Sequence, residues 1–558
     1  MVTQEDNHDL PGNDNLYYTG RWVACIGNKV IGQGGTPQQA LRAAKATRFK
    51  ETPEISYVPT AQPLVLHPII NKILDILPKG LECYLVGGAV RDSIIGVPVN
   101  DLDFVMPAES LEVARRTADF FGGAFYPLDA SRQIGRVIIR KGNGKRLLLD
   151  FSIFQGQTLE SDLIARDFTI NSMAVNLRHP QQLLDPLGGY RDLQEKKLQA
   201  CTPNSFINDP VRIVRAVRFA AAHDLHVLPE TRKLMHASIS LLPQVSVERL
   251  RDELFQILAG RQVEKSIRAL EILGVVQFIL PELTQLKGVH QSLPHTTDVW
   301  EHTLKVVNNL ESILSLFSPI IDSEEAIDEA LILVEESLGR HREHIQSHLD
   351  TRFVIDRSLK PLLFFAALFH DVGKPDCLQV DNQGRRRFIN HEQLGAQTVF
   401  NRAKALHLSN TETNRLMSIV RNHLRPLYLA RTGKPLSRRA IYRYFRDCGQ
   451  SGVDICLLSL ADILATYGSN LSLDKWKIHL EVTRRLLTAY WEDSIERLNP
   501  PSLINGHDLI KKFGLKPGPK IGEILESVRE AQATGQITSP QEAMRLAQSL
   551  LNKNNSEK

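Results

Sequence analysis

The spacing of apolar residues divides the chain into a mixed N-terminal part and a long helical remainder. Short apolar runs typical of strands occur at Tyr84–Val86, Asp101–Val105, Gln133–Arg140 and Lys145–Ser152, and a helical period occurs over Leu111–Phe121. From about residue 196 onward the apolar spacing is almost entirely helical. We therefore predict an α+β fold, in which a mixed-sheet head is followed by mostly helical domains.

Changes in this pattern predict six segments. Residues 1–15 are polar and expected to be disordered, and residues 16–60 are expected to form a small accessory ββα module with a hairpin turn at Gly27-Asn28. The remaining expected segments are a head over 61–195, a helical neck over 196–289, a further domain over 290–475 and a helical tail over 476–558. An acidic, helix-forming insertion over 318–357 interrupts the fifth segment.

Charge, cysteine spacing and the length of the apolar runs indicate the partners and the cellular compartment of the protein. The 558 residues carry a net charge of +4, a mild basic balance that neither requires nor excludes nucleic acid as a partner. The six cysteines show no CxxC spacing, which favours reduced thiols and a cytoplasmic protein. No uninterrupted apolar run approaches 18 residues and the N-terminus is polar, so we expect neither a membrane span nor a signal peptide.

One stretch, Tyr84 to Met106, carries most of the candidate chemistry. Asp101 and Asp103 lie two residues apart on a predicted strand, so both carboxylates project from one face and suit Mg²⁺. Gly87 and Gly88 precede a helix, where exposed N–H groups can approach a phosphate. An isolated Asp-x-Asp is also common on solvated strand edges. Together with the glycine pair, however, it predicts nucleotidyl transfer.

The combination of Gly87-Gly88 with Arg91-Asp92, placed 14 residues before Asp101, resembles the head of class II tRNA nucleotidyltransferases. This family comprises the CCA-adding enzymes and the bacterial poly(A) polymerases. The resemblance implies a polymerase-beta-like head and a Mg²⁺-dependent reaction. It also implies that CTP, ATP and the tRNA acceptor end are the partners, rather than DNA or a membrane.

A second family motif matches Arg166, Asp167 and Asn171, with Ala165 where the family usually has another arginine. Arg166 is expected to reach triphosphate oxygens, and Asp167 and Asn171, four apart on a helical face, to bind a ribose hydroxyl. Asp150 ends an apolar strand and is a candidate third catalytic carboxylate, with capping of the strand as the alternative.

A fourth motif matches Asp209 and Arg212, with Asn208 replacing the usual Glu. At a spacing of three residues the pair is expected to share one helix face. The carboxylate can accept from the amino group of cytosine or adenine while the guanidinium donates to a ring acceptor, so the pair would admit CTP and ATP and reject GTP and UTP. Arg215 and Arg218 continue the same helix and are expected to line the nucleotide or the tRNA end.

A second constellation resembles the HD-domain metal phosphohydrolases through its order H…HD…H…H…D. Its members are His302, His370, Asp371, His391, His423 and Asp462. Imidazole and carboxylate ligands suit Mn²⁺, Ni²⁺, Co²⁺ or Fe, with His391 and His423 serving a second metal or a substrate phosphate. In the tail, Lys516 and Lys520 flank a helix start and are expected to contact the tRNA backbone.

The leading hypothesis is therefore a tRNA nucleotidyltransferase that builds or repairs the CCA end. Only Phe151–Leu163 separates the Asp150 strand from the second motif, and this shortness resembles CC-adding enzymes that depend on a separate A-adding partner. CCA-adding and CC-adding activity remain equal alternatives at this point, with poly(A) polymerase below both. A different class of function, an HD phosphohydrolase with a vestigial head, is also open.

Overall fold

The computed structural model describes residues 18–27, 29–46, 51–58, 64–140, 146–318, 328–354, 357–492 and 500–556. The chain forms two compact units, Met1–Val245 and Ser246–Lys558, which are described separately below. The expected disorder of residues 1–15 and the turn at Gly142–Gly144 lie outside the described residues, as does Asn28 of the first hairpin.

The first unit begins with a small module. Its strands Arg21–Ile26, Lys29–Gly34 and Glu54–Val58 form an antiparallel sheet with the first strand in the centre. Ala40 and Ala44 of the helix Pro37–Ala46 are buried, and Gly32 lets the helix approach closely, because a side chain there would meet the Ala44 backbone. The ββα prediction was therefore incomplete. The third strand was missed because its five residues follow the helix after a short polar stretch with no hairpin signal.

The head is built on a seven-stranded mixed sheet. Its strands, in spatial order, are Leu183–Leu184, Ala174–Asn176, Tyr84–Val86, Asp101–Met106, Arg146–Ile153, Ile134–Arg140 and Ala124–Asp129. The two central strands, Asp101–Met106 and Arg146–Ile153, pair in parallel, and all the other pairings are antiparallel. The strands predicted from the apolar runs are thus confirmed, and so is the mixed sheet.

The helices Gly88–Ile94 and Ser110–Phe121 pack against this sheet, and further helices continue to the end of the first unit. The helix Ser110–Phe121 buries Val113, Ala114 and Ala118 and ends at Gly122, whose left-handed backbone caps it. The other helices of this unit, after that of the small module, are Ile69–Ile76, Gly88–Ile94, Leu159–Ile164, Gly189–Gln194, Ser205–Asn208, Arg212–His223 and Pro229–Ser238. This arrangement places the helix Gly88–Ile94, which follows Gly87, beside the strands Tyr84–Val86 and Asp101–Met106.

The second unit is helical, with short two-stranded ribbons at Arg352–Val354 with Arg357–Ser358 and at Leu378–Val380 with Arg386–Phe388. Its helices are Val247–Ala259, Val263–Ile272, Val276–Ile279, Val299–Ser315, Glu329–Leu338, Arg342–Leu349, Leu359–Phe369, His391–Ala405, Asn410–Asn422, Arg425–Arg431, Arg438–Cys448, Ser451–Tyr467, Leu473–Glu492, Gly506–Phe513, Pro519–Ala533 and Pro540–Ser556. The described part of the acidic insertion supplies two of them, Glu329–Leu338 and Arg342–Leu349.

Two helices of this unit are buried on nearly all sides. Every residue of Leu359–Phe369 except Lys360 is buried. Among the described residues, one segment, Ser451–Asn470, has the length and apolar character to cross a membrane, and 72% of its apolar window is buried within the protein. A helix that is apolar on all sides is expected at the centre of a large helical core. The segment Ser451–Asn470 is buried in this way.

Candidate active site and metal centre

The candidate active site lies on the central strands of the head. Asp101 and Asp103 occupy alternate positions of the strand Asp101–Met106, so their side chains share one face while Leu102 and Phe104 are buried on the other. Asp150 on the neighbouring strand lies directly opposite Asp103. Three carboxylates therefore converge on one part of the sheet.

These carboxylates differ in their electrostatic surroundings. Burial, with the nearby charges of Asp150 and Asp101, raises the pKa of Asp103 to about 6, although Arg166 acts in the opposite direction. Asp150 accepts two hydrogen bonds of 2.8 Å from the Nε and Nη2 of Arg136. The arrangement disfavours the ionisation of Asp103, and a bound cation would relieve the repulsion between the carboxylates.

The glycine pair leads from its strand into the helix Gly88–Ile94. Gly87 has a φ of +71°, and a side chain there would begin 2.9 Å from an Nη of Arg166 and 3.5 Å from Oδ2 of Asp103. Only glycine combines this backbone conformation with so close an approach. The turn thus brings a guanidinium and a carboxylate close to the start of a helix.

Arg91 and Asn171 support one another within this site. The buried Arg91 donates from Nη1 to Oδ1 of Asn171 at 2.6 Å and from Nε to Oδ1 of Asp92 at 2.8 Å. Asn171 in turn donates to Oδ1 of Asp167 at 3.0 Å. Arg91 is therefore engaged with protein groups and orients Asn171.

The expected helix between Asp167 and Asn171 is absent. Phe168 is extended and a 3-10 turn, Thr169–Asn171, follows it, so the prediction of a shared α-helical face was wrong even though the two side chains are hydrogen-bonded. Burial acts to raise the pKa of Asp167, but Arg215 at 3.1 Å and the Asn171 amide outweigh it and hold the pKa below its usual range. Asp167 is therefore an ionised acceptor.

The prediction for Asp209 and Arg212 also needs correction. Asp209 caps the helix Ser205–Asn208 with an extended backbone, and Arg212 begins the next helix, so they do not share a helix face. Pro210 breaks the helix between them, since it lacks the N–H that helix continuation requires. The two side chains still face each other, with 3.9 Å between Arg212 Nε and Asp209 Oδ2.

Arg212 makes contacts that its spacing from Asp209 did not indicate. Its Nη2 donates to the carbonyl of Ala165 at 2.9 Å and its Nη1 to that of Arg166 at 3.1 Å. Arg166 itself donates from Nε and Nη2 to Oδ2 of Asp162. Arg212 thereby fixes the backbone on which Arg166 stands.

Sequence analysis did not identify two residues of this site, Phe219 and Asp162. The ring of Phe219 lies under the guanidinium groups of Arg218, Arg91 and Arg215, at 4.3, 5.0 and 5.6 Å from its centroid. Within its apolar surroundings Phe219 resembled an ordinary core residue. Asp162 could have been found, because its spacing of four residues from Arg166 is typical of a helical ion pair.

The second constellation comes together in the Ser246–Lys558 unit. The ligand atoms of His302, His370 and Asp371 lie close enough to hold one metal ion, and those of Asp371, His391 and His423 a second. Asp371 belongs to both sets, with Oδ2 at 3.2 Å from His370 Nε2 and Oδ1 at 3.2 Å from His391 Nε2. Asp462 joins the first set, 3.0 Å from His302 Nε2.

Three of the histidines are oriented by the main chain. The Nδ1 atoms of His370, His391 and His423 each donate at 2.7 Å to the carbonyl three residues earlier. With Nδ1 donating, Nε2 is the atom that carries the lone pair when the ring is neutral, and all three Nε2 atoms are buried with no hydrogen-bond partner among the described residues. Such orphaned buried acceptors fit a metal ion.

The charges of this centre also fit a cation. Burial acts to raise the pKa of Asp371, but His370 and Lys374 outweigh it and hold the pKa well below its usual range. Burial and the neighbouring His370 lower the pKa of His423 to about 3, so that this imidazole is neutral, as ligation requires. A cavity of about 180 Å³ adjoins the centre, with Lys374, Arg431 and Tyr428 among its lining residues.

The two tail lysines expected to contact tRNA also belong to the Ser246–Lys558 unit. In the sequence they follow the histidine and aspartate clusters of the metal centre. Lys516 precedes the helix Pro519–Ala533 and Lys520 lies in its first turn; both are exposed.

Family models match most of the chain. The Poly A polymerase head domain matches residues 83–199, the "Probable RNA and SrmB- binding site of polymerase A" residues 224–287, and the HD domain residues 299–466. Domain 2 of tRNA nucleotidyltransferases matches residues 472–547. Residues 17–61 match a family of unknown function.

This chain aligns with two curated relatives over nearly the whole length of each relative. The A-adding tRNA nucleotidyltransferase of Deinococcus radiodurans is 31% identical over 470 residues, covering 83% of this chain and 94% of the relative. The CC-adding tRNA nucleotidyltransferase of Thermus thermophilus is 29% identical over 472 residues, covering 83% and 92%. An apo CCA-adding enzyme structure aligns with a TM-score of 0.51 at 22% identity, covering 87% of this chain and 92% of that one, and supports the fold.

Proposed function

Because the chain belongs to the tRNA nucleotidyltransferase family, we propose that it extends the 3′ end of tRNA with C residues, A residues or both, from CTP and ATP and without a template. The observation that carries the proposal is the convergence of Asp101, Asp103 and Asp150 beside the Gly87 turn. Since its substrates are soluble, we also propose that the protein acts in the cytoplasm.

The proposed reaction is an in-line displacement. The tRNA 3′ hydroxyl oxygen attacks the α-phosphorus of the nucleotide and its proton passes to water. A phosphodiester bond forms as the bond to the β-phosphate breaks, and pyrophosphate leaves. A divalent ion, for which we propose Mg²⁺ because the donor set consists of hard carboxylate oxygens, supplies charge neutralisation there. Asp101 and Asp103 would hold it, and Asp150, oriented by Arg136, would complete the acidic face.

The remaining residues of the head would hold the nucleotide. The Gly88 N–H, at the start of the helix Gly88–Ile94, is offered to the triphosphate, whereas the Gly87 N–H donates to the Met173 carbonyl at 3.3 Å. Arg166 adds a guanidinium on the same side. Asp167 and Asn171, which Arg91 and its partner Asp92 keep in place, would bind the ribose. Arg215 and Arg218, packed on Phe219, would line the nucleotide or the tRNA end.

Base selection would fall to Asp209 and Arg212. Because two of the Arg212 donors are engaged with the Ala165 and Arg166 carbonyls, the guanidinium is held rigidly, with its Nε towards Asp209. A rigid guanidinium donor next to a carboxylate acceptor cannot rearrange to suit a base whose own donors and acceptors are reversed. It therefore rejects such a base more strongly than a mobile side chain would.

The short segment Phe151–Leu163, which follows Asp150, supports addition of either CC or A rather than both. It contains the helix Leu159–Ile164, which Thr158 and Ser161 close with a reciprocal capping box, and Asp162 binds the Gln155 N–H at 2.9 Å. These contacts stiffen the segment whose length first suggested CC addition. The named relatives add either CC or A, so we propose that this chain adds one of these rather than the full CCA.

Primer extension tests the proposal. Transcripts of tRNA ending at the discriminator base, at C or at CC would be supplied with CTP, ATP or both. Extension that stops at CC with both nucleotides present establishes a CC-adding enzyme, and addition of A only to transcripts ending in CC establishes an A-adding one. Completion to CCA refutes the narrow specificity, and no addition to any transcript refutes the proposed function.

A second activity is favoured by the orphaned Nε2 atoms around Asp371. We propose that His302, His370, Asp371 and Asp462 hold one divalent transition-metal ion, and that Asp371, His391 and His423 hold another. When bound, such ions supply an activated water for phosphate-ester hydrolysis. Lys374 and Arg431 in the adjoining cavity would attract the substrate phosphate.

For the tail we propose contact with the tRNA backbone through Lys516 and Lys520. Both ammonium groups are exposed near the start of one helix, and A-form RNA is recognised largely through its shape and phosphates.

A further inference from the structure

The small N-terminal module contacts the head at two separate places. At the first, Gln39 donates from Nε2 to Oε1 of Glu160 at 2.5 Å, and Gln39 is itself held because its Oε1 accepts the Gly35 N–H at 2.8 Å. At the second, the Asp185 N–H donates to the Gly35 carbonyl at 3.3 Å, and the Leu183 N–H donates to the Tyr57 hydroxyl at 2.9 Å.

The fit at the second place is close. A side chain at Gly35 would begin 2.0 Å from the carbonyl carbon of Asp185, so the two backbones touch. Leu183–Leu184 is also the edge strand of the head sheet, and an edge strand covered by another element is protected from other pairings. The module is thus docked on the head.

Each contact leads directly to residues of the proposed nucleotide site. Glu160 lies on the helix Leu159–Ile164 together with Asp162, which holds the Arg166 guanidinium. The rigid body of one short helix therefore links Gln39 to a proposed triphosphate ligand.

The second contact leads to Asn171. The Asp185 carboxylate accepts the N–H groups of Gly189 and Tyr190 at 2.7 and 3.0 Å. Gly189 in turn packs so closely on the Thr169 carbonyl that a side chain there would begin 2.0 Å from it. Thr169 begins the 3-10 turn that carries Asn171.

We propose that the N-terminal module is a positioning element for the nucleotide site, and that its binding partner is the head of its own chain rather than RNA. By holding the Glu160 helix and the Asp185 turn together, the module limits the motion of the segments on which Arg166 and Asn171 stand. Two packed routes of this kind are a physical basis for coupling between sites. The inference rests on the proposed nucleotidyltransferase activity.

The test uses the full-length protein with Gln39→Ala, Glu160→Ala, the double variant and Gly35→Val, and Gln38→Ala as the control, since Gln38 is the exposed neighbour of Gln39. We expect Gln39→Ala to raise the KM for the nucleotide about 3- to 10-fold, a range typical of coupling through packed contacts, and Gly35→Val to raise it more. The KM for tRNA should stay within about twofold. The double variant should be no worse than Gln39→Ala, because Gln39→Ala already removes the contact that Glu160→Ala would remove.

Hydrogen exchange gives a readout that does not need activity. In Gln39→Ala, amides of residues 159–166 should exchange faster than in the wild type and in Gln38→Ala; in Gly35→Val, those of 183–190 should do so as well. Unchanged exchange, or a rise in the KM for tRNA alone, overturns the inference. If no protein adds nucleotides, the proposed function fails, while faster exchange still supports the positioning role.

Discussion

Asp103 and Asp150 lie directly opposite each other on neighbouring parallel strands, and Arg136 stands next in the same row, opposite Asp150. Arg136 neutralises Asp150 through two hydrogen bonds, whereas burial raises the pKa of Asp103 to about 6. The sheet therefore holds a carboxylate paired with an arginine beside one whose ionisation is disfavoured, and a cation is the group that would favour the ionised form of the second.

The raised pKa of Asp103 predicts a pH-dependent instability of the metal-free protein. The pKa of this aspartate is near 3.8 in the unfolded state and about 6 in the folded state. Below about pH 4 the carboxyl is protonated in both states and does not affect stability. As the pH rises from about 4 to 6 the folded state becomes progressively less stable, and the full destabilisation is present above about 6. In EDTA at pH 8, Asp103→Asn should therefore raise Tm by about 2–6 °C. At pH 4 its Tm should equal that of the wild type.

Thermal unfolding across this pH range provides the measurement. Asp119→Asn, at an exposed position of the helix Ser110–Phe121, is the matched control and should shift Tm by less than about 1 °C at every pH. A gain from Asp103→Asn that is equally large at pH 4 and pH 8 would contradict the assignment.

Replacing Gly87 separates close approach from backbone strain. Gly87→Ala places a methyl group 2.9 Å from Arg166 and imposes a positive φ on alanine, whereas Gly80→Ala imposes a positive φ of +84° with no atoms within 4 Å. We expect Gly87→Ala to lower kcat/KM for the nucleotide at least about 30-fold, because the Arg166 guanidinium must move. Gly80→Ala should cost about 1 kcal/mol of stability and leave kcat/KM within twofold. Equal losses of activity in the two variants would show that strain alone is responsible.

Arg212→Lys tests the rigid guanidinium. A lysine ammonium cannot reach the Ala165 and Arg166 carbonyls and face Asp209 at the same time. We expect kcat/KM for the correct nucleotide to fall about 10²-fold, a loss of roughly 2.7 kcal/mol in transition-state binding, and discrimination against UTP to fall with it. Steady-state kinetics with CTP, ATP and UTP would measure both. Arg232→Lys, at an exposed arginine on the next helix, is the control, and unchanged discrimination in Arg212→Lys would rule out base reading by this residue.

Asp371 belongs to both proposed metal sites, and this predicts an unequal loss of metal. Asp371→Asn should remove both ions, whereas His423→Ala should remove one, as determined by elemental analysis of protein purified with Mn²⁺ or Ni²⁺ present. Neither variant should change nucleotide addition more than about twofold, since its chemistry is assigned to another set of residues. Retention of both ions by Asp371→Asn would exclude the shared-ligand arrangement.

The tail lysines should act through charge alone. Each phosphate contact that is lost reduces the dependence of log Kd on log salt concentration by somewhat less than one unit. Lys516→Ala with Lys520→Ala should therefore weaken tRNA binding most at low salt and lower the slope by about 1–2. Lys72→Ala, at an exposed position of the helix Ile69–Ile76 outside the matched RNA-binding segment, should leave the slope unchanged. A double variant with the wild-type slope would exclude these contacts.

The sequence was informative where function depends on local spacing. Alternation placed Asp101 and Asp103 on one face, and the ordered histidines identified the second centre. It was uninformative where strands or segments meet over long distances: nothing near Asp150 indicates that Asp103 lies opposite it, or that Arg212 bonds carbonyls 46 and 47 residues away. The Asp167–Asn171 spacing fits a helix and a 3-10 turn alike, and only packing decides between them.

The hydrogen bonds from His370, His391 and His423 to carbonyls three residues earlier have an evolutionary consequence. An imidazole oriented by a neighbouring side chain is lost when that neighbour mutates, but a main-chain carbonyl is present whatever residue supplies it. Substitutions at Ala367, Phe388 and Val420 therefore leave the acceptor in place, and the size of the buried Ala367 and Val420 is limited by the core rather than by the rings. Drift can erase this centre through the histidines and carboxylates themselves, and a descendant that had lost one imidazole would regain an oriented ligand by a single reversion.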